Sequence, residues 1–386
     1  MAIPDTLQLR SKLPDVGTTI FTVMSQLAHE HQALNLSQGF PNFEMDPQLI
    51  RLAQEAMSEG YNQYAPMAGI FSLREAIARK VERCYGATYD PEQEITVTVG
   101  ATQAIFTAIA TVIRPGDEVL LFKPAYDCYE PAIAVQGGTA VPLGMTAPDF
   151  EIPWQQVKQA ISTKTKMIII NTPNNPSGKI WSRQDMEQLE AVTRGTDIVI
   201  LSDEVYEHMV YDGMEHQSVA RFSALRERSF ITASFGKTFH NTGWKTGYCL
   251  APSKLMEEFR KVHQFNVFCT NHPVQRAFAK YLEHPAHYET LPAFYQNKRD
   301  RFLDAVADSR FAFTPAEGTY FQLLDYSAIS EESDTEFARR LVKEHGIASI
   351  PISPFMQEEE DRKLLRFCFA KTDDTLEAAG KILRGI

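Results

Sequence analysis

Between residues 70 and 252 the chain carries six short, almost wholly apolar runs, each set apart by a stretch long enough to hold a helix or an ordered loop, and few folds accept that pattern. The runs are Ile95 to Val99, Glu118 to Phe122, Met167 to Asn171, Asp197 to Leu201, Ser229 to Ala233 and Gly247 to Ala251. A strand wetted on one face alternates apolar and polar residues; one without alternation is covered on both faces, as helices on either side of a mainly parallel sheet provide. Ser72 to Tyr85 supplies a helical counterpart, with Leu73, Ile77 and Val81 at four-residue intervals and Gly86 as its stop. The fold class expected is α/β.

After Ala251 the texture changes. A charged, helical region runs to Arg301, followed by a strand at Thr319 to Leu324, a helix opened by the capping box Ser333-x-x-Glu336 and ended near Gly346, and strands at Ile347 to Ile352 and Leu364 to Ala370. This reads as a second, smaller α+β domain. With 386 residues the chain is too long for one ordinary core. The expected division is a large domain over 46–283 and a small one built from 284–386 with the first 45 residues, which show no strong periodicity.

Several function classes are disfavoured. A formal charge of -11 without a basic run argues against nucleic acid. No apolar run approaches the roughly 18 residues of a membrane span, and the start, Met1-Ala-Ile-Pro-Asp-Thr, lacks a basic and then apolar signal segment, so a cytoplasmic protein is expected. The five cysteines show no Cys-x-x-Cys, and His29, His31 and His208 lack ligand spacing; no metal is expected.

In parallel sheets ligands lie beyond the C-terminal strand ends. After the first run comes Gly100-Ala101-Thr102-Gln103, small residues opening the helix Ala104 to Ile113; this is a phosphate cradle or an ordinary helix cap. After the third comes Asn171-Thr-Pro-Asn-Asn175-Pro-Ser-Gly178, a loop suited to presenting an Asn, or a mere connecting turn. After the fourth come Asp203 and Tyr206, where the carboxylate holds a protonated ring nitrogen or caps a helix. After the fifth come Ser234 and Lys237. A lysine there can carry a carbonyl as a Schiff base if burial or a second cation such as Lys245 lowers its pKa; it can also be an exposed loop lysine. Ser234-x-x-Lys237 with Lys245-Thr-Gly247 also spells serine acylation motifs, but those come from separated elements whereas these are nearly contiguous.

A lysine for an aldehyde, an acid for a pyridine nitrogen, a polar group for a phenolate and a cradle for a phosphate are together the requirements of pyridoxal 5'-phosphate. On these segments, with Gly17-Thr-Thr-Ile-Phe, Asn35-Leu-Ser-Gln-Gly39-Phe-Pro, Tyr64-Ala-Pro, Pro124-Ala-Tyr126-Asp and Pro315-Ala-Glu-Gly-Thr-Tyr-Phe321, the chain resembles the fold type I, class I/II aminotransferases over nearly its whole length, particularly those acting on methionine, kynurenine and glutamine.

The resemblance implies a mainly parallel seven-stranded sheet between helices, and a role for each matching residue. Lys237 carries the cofactor and shuttles a proton; Asp203 pairs with the ring nitrogen; Asn175 and Tyr206 bond the phenolic oxygen; Tyr126 stacks on the ring. Gly100, Ala101, Thr102 or Gln103, Ser234 and Lys245 hold the phosphate, with Tyr64 supplied by the second subunit of a homodimer that shares its active sites. Arg366, with Asn175 and the Gly39 backbone, clamps the substrate α-carboxylate, and Ile20, Phe40 and Phe355 shape an apolar side-chain pocket. The activity implied is ping-pong transfer of an amino group from an apolar, sulfur-containing or aromatic L-amino acid, methionine foremost, to a 2-oxo acid. The same scaffold also suits β-elimination from cysteine S-conjugates, or more remotely a regulatory domain without catalysis. From the residues alone, Arg366 in the apolar run Leu364-Leu-Arg-Phe-Cys-Phe-Ala needs an anion, either substrate or an internal Asp or Glu.

Overall fold

The computed structural model describes residues 10–146, 148–356, 358 and 360–386; the opening residues on which the signal-segment reading rests lie outside that set. In chain order the strands are β1 (Leu34–Asn35), β2 (Ile95–Thr98), β3 (Glu118–Lys123), β4 (Thr139–Gly144), β5 (Thr165–Asn171), β6 (Val199–Asp203), β7 (Ser229–Ser234), β8 (Gly247–Leu250), β9 (Phe321–Asp325), β10 (Ile347–Ala348), β11 (Ile350–Pro351) and β12 (Leu364–Cys368).

A seven-stranded sheet in the order β2-β8-β7-β6-β5-β3-β4 forms the body, with β8 alone antiparallel to its neighbours. The C-terminal ends of β2, β5, β6 and β7 therefore meet at one edge of the sheet. β2 and the centre of β5 are buried along both faces, as their lack of alternation requires. β4 has no counterpart among the six runs. It contains Pro142, is partly exposed and pairs only with β3; an edge position tolerates proline and needs no continuous apolar run.

The helix Phe71–Tyr85 ends at Gly86, whose φ of +67° suits glycine. The helix expected from Ala104 starts earlier, at Gly100, and runs to Val112. Helix Asp334–His345 opens with the complete Ser333/Glu336 capping box and closes at Gly346. Helix Ile20–Glu30, capped by the Thr19 side chain, lay hidden in the segment without marked periodicity.

A second sheet, β11-β12-β9, is antiparallel, and β1 pairs with β10 to bring the N-terminal segment against the C-terminal part of the chain. Helices Leu291–Val306 and Asp373–Leu383 cross beside it so closely that a Cβ on Gly380 would stand 2.4 Å from that of Ala305. Among the described residues no helix is long and apolar enough to cross a membrane.

Candidate active site

A cavity of about 270 Å³ opens where the four strand ends face the N-terminal segment and β12. Lys237 enters it from a single turn, Phe235–Thr238, whose first N–H groups follow directly on β7; Ser234 caps the turn by accepting the Lys237 N–H at 3.4 Å. Phe235, stacked on Phe278 with centroids 4.5 Å apart, fixes the turn from below. The ammonium donates to the Gly39 carbonyl at 3.1 Å and lies 5.9 Å and 5.7 Å from the ring centres of Tyr206 and Tyr320. Burial lowers its pKa to about 8; Cys368 and Asp203 oppose the shift, while Arg366 and Lys245 add to it. An exposed loop lysine is thereby ruled out.

Asp203 is the last residue of β6, and no helix follows it, so it is not a helix cap. Its Oδ2 accepts from the Tyr129 hydroxyl at 2.6 Å and its Oδ1 from the Val205 N–H at 3.4 Å. No cation bridges to it among the described residues, and burial pushes its pKa up to about 6 against the pull of those two hydrogen bonds. A carboxylate buried without a counter-ion is expensive, and a cationic ligand relieves the cost.

The loop after β5 is more than a connection. Asn171 at the strand end donates to the Asp203 carbonyl at 2.9 Å and accepts the Asn175 N–H at 2.8 Å, which aims the Asn175 side chain at Arg366. Arg366, 1% exposed, donates to Asn175 Oδ1 at 2.8 Å and to the Ser37 carbonyl at 3.0 Å, and its guanidinium lies 3.9 Å from the Phe321 ring centre. No carboxylate pairs with it among the described residues, so the internal-acid alternative falls away.

At the opposite end Gly100, Ala101, Thr102, Ser234 and Lys245 line the cavity, joined by Thr242 and Thr246. Gly100 has φ +71°, and a Cβ there would stand 3.5 Å from Lys245 Nζ: the ammonium sits against the start of helix Gly100–Val112, where free N–H groups and the dipole favour an anion. Tyr126 and Phe40 also line the cavity.

Three expected residues lie elsewhere. Gln103 turns back to accept the Val99 N–H at 3.0 Å and donate to Thr107 at 2.6 Å, capping its own helix in place of holding an anion. Ile20 and its neighbour Phe21 both pack partly buried against the core, but only Phe21 lines the site. Phe355 is buried behind Phe21, rings 5.5 Å apart. Tyr64, expected to serve the second subunit and not this cavity, is 81% exposed and edge-on to Phe268. Sequence reading missed Tyr129 and Gln38 as well as Phe21: Tyr129 opens a seven-residue helix with no motif, and only tertiary contact brings it to Asp203.

Residues 31–383 match the family aminotransferase class I and II. The chain belongs to that family. It is 48% identical to the methionine aminotransferase of Escherichia coli K12 over 97% of each chain, and superposes with a TM-score of 0.97 on a crystal structure from E. coli whose reactivity identified a methionine aminotransferase function, covering 98% of this chain and all of the other. It is 32% identical to human kynurenine–oxoglutarate transaminase 1, with 93% of each covered, and matches the structure of N-succinyldiaminopimelate aminotransferase from Mycobacterium tuberculosis at TM-score 0.94 and 36% identity, covering 98% of this chain and all of the other. The aminotransferase fold thus places Lys237, Asp203, Asn175 and Arg366 in one cavity, contributed by three strand ends of the large sheet and one strand of the small one.

Proposed function

We propose that this aminotransferase works with pyridoxal 5'-phosphate on an apolar, sulfur-containing or aromatic L-amino acid, methionine foremost, and a 2-oxo acid. The observation that carries the reading is Asp203, a buried carboxylate with hydrogen-bond donors but no ion-pair partner among the described residues, in the cavity that holds a lysine of lowered pKa. The residues present fit the cofactor: Asp203 suits its ring nitrogen, Lys237 its aldehyde, Asn175 and Tyr206 its phenolic oxygen, Tyr126 its ring face, and the Gly100–Thr102 helix start with Ser234 and Lys245 its phosphate. Bound there, it provides an electron sink for the pair left when a proton leaves the substrate α-carbon.

The chain's own groups do the rest. Lys237, with a pKa near 8, is available as a free amine at neutral to mildly alkaline pH and takes and returns the α-proton. Asp203, buried at the end of β6, would pair with the cofactor's ring nitrogen and keep it protonated. Arg366 and Asn175 orient the α-carboxylate through a preformed pair, so little ordering remains at binding.

Side-chain preference follows from the cations. Lys237, Lys245 and Arg366 are the cationic side chains lining the cavity among the described residues, and each has a duty, which leaves none for a side-chain carboxylate; Phe21, Phe40 and Phe321 supply apolar wall. The names of the methionine and kynurenine relatives point the same way. We further take 46–283 as the large domain and 1–45 with 284–386 as the small one, and a homodimer in which exposed Tyr64 serves the neighbouring site.

Loss of the cofactor's visible absorbance on mixing with single amino acids tests the reading. Methionine, phenylalanine, tyrosine, glutamine or kynurenine should bleach it fastest, and Lys237→Ala should abolish both the lysine-bound absorbance and turnover. A fastest response to aspartate overturns the side-chain assignment, and retention of both signals in the variant overturns that of Lys237.

A further inference from the structure

Five consecutive main-chain carbonyls, Leu36 through Phe40, each accept a hydrogen bond from outside their own segment, although only Leu34 and Asn35 belong to a strand. Leu36 accepts from the Cys368 N–H at 2.8 Å and Ser37 from Arg366 at 3.0 Å. Gln38 and Phe40 both accept from Lys371 Nζ, at 3.4 Å and 2.9 Å, and between them Gly39 accepts from Lys237 Nζ at 3.1 Å and from the Tyr320 hydroxyl. The stitching continues with the Thr372 N–H donating to Asn42 Oδ1 at 2.7 Å.

Lys371 is the anomaly. It is 2% exposed, and no carboxylate bridges to it among the described residues. Lysines are seldom so buried without an anion, and packing alone would be served better by methionine, of similar length and no charge. What its ammonium has are the two carbonyls on either side of Gly39, and the Phe40 ring 5.4 Å away. Tyr320, fully buried, approaches the same strap from β9's approach, where Thr319 is held at φ +65°, a strained value for a β-branched residue. The Thr319 carbonyl accepts from the Tyr211 hydroxyl and its N–H donates to the Met209 carbonyl at 3.0 Å, so the strained turn is clamped on both sides.

We propose that Lys371, with Tyr320, is a positioning residue of the amino-transfer reaction: it pins the 36–40 strap so that the Gly39 carbonyl meets Lys237 Nζ and aims that amine. A charged donor bonding two carbonyls of one tripeptide leaves the middle carbonyl little freedom, and a primary amine committed through one N–H to a fixed acceptor has its lone pair directed. This rests on the assignment of Lys237 as the proton-carrying lysine.

The test compares Lys371→Met, Tyr320→Phe and the double variant with the unmodified protein. In the cofactor-free proteins, amide hydrogen exchange over residues 36–42 should quicken about tenfold or more while β12 and the large sheet keep their protection. With cofactor, single-turnover bleaching at saturating methionine should slow by about tenfold in Lys371→Met and less in Tyr320→Phe. The double variant should be slower than Lys371→Met by no more than about twofold, because both side chains act through one strap. Unchanged exchange in the strap, or faster exchange with saturating rates within about twofold of the unmodified protein, overturns the proposal. Should Lys371→Met not fold, Tyr320→Phe, which keeps its ring, decides alone by the same two readings. Failure of the unmodified protein to bleach would instead count against the Lys237 assignment.

Discussion

Arg366 and Asn175 stand 191 residues apart in sequence and are joined by one 2.8 Å hydrogen bond, from a guanidinium in the small sheet to a side-chain oxygen in the loop after β5. The bond spans the cavity wall. It leaves the rest of the guanidinium without an ion-paired carboxylate among the described residues, as a preformed receptor for an α-carboxylate requires.

Replacing that arginine should therefore damage recognition. Arg366→Ala is expected to lower kcat/KM for methionine by roughly a hundredfold or more, and Arg366→Lys to recover only part of it, because an ammonium cannot hold Asn175, the Ser37 carbonyl and a carboxylate in one plane. Steady-state kinetics checks both; a kcat/KM for Arg366→Ala within about threefold of the unmodified protein contradicts the role.

Asp203 couples stability to the cofactor. A carboxyl whose pKa is raised on folding binds its proton more tightly in the native state, so its stabilising contribution is complete below the unfolded value of 3.8 and is lost as the pH rises through about 6. Above pH 6 the ionised group burdens the cofactor-free protein by up to about 3 kcal/mol. Asp203→Asn should then stabilise the cofactor-free protein at pH 7 to 8 and weaken its gain in melting temperature on adding pyridoxal phosphate. Denaturation with and without cofactor measures both, and a variant less stable in each state contradicts the account.

Lys237 should titrate low. In the cofactor-free protein its modification by an amine reagent, followed on its own peptide, is expected to show a midpoint near pH 8. Lys245→Ala removes a repelling cation, so the midpoint should move up. A midpoint near 10 in the unmodified protein would falsify the desolvated lysine.

Tyr64 is 81% exposed and is not among the residues lining the cavity of its own subunit. If it completes a neighbouring site, mixing Tyr64→Ala with Lys237→Ala protein should restore activity through hybrid dimers that hold one intact site. Assays after demonstrated subunit exchange decide this, and absence of recovery removes the shared site.

Much of this protein was legible before its structure. Unbroken apolar runs declared a sheet covered on both faces, glycines at 86 and 346 declared helix ends, and the polar residues after four runs declared a ligand edge, because each is a local consequence of strand period, backbone freedom or strand direction. Edge strand β4 and helix Ile20–Glu30 were not, since an edge strand needs no apolar continuity and that helix is held by distant packing.

The site divides in the same way. Lys237, Asp203 and Asn175 follow from their places at strand ends, where chain direction alone puts them at one rim. Sequence left open whether Asp203 capped a helix, whether Arg366 had an acid beside it, and what Gln103 reached. Tertiary structure decided those, because burial, the absence of a counter-ion and the aim of a side chain depend on which distant segments arrive: Tyr129 at Asp203, Ser37 at Arg366, and the 36–40 strap at Lys237.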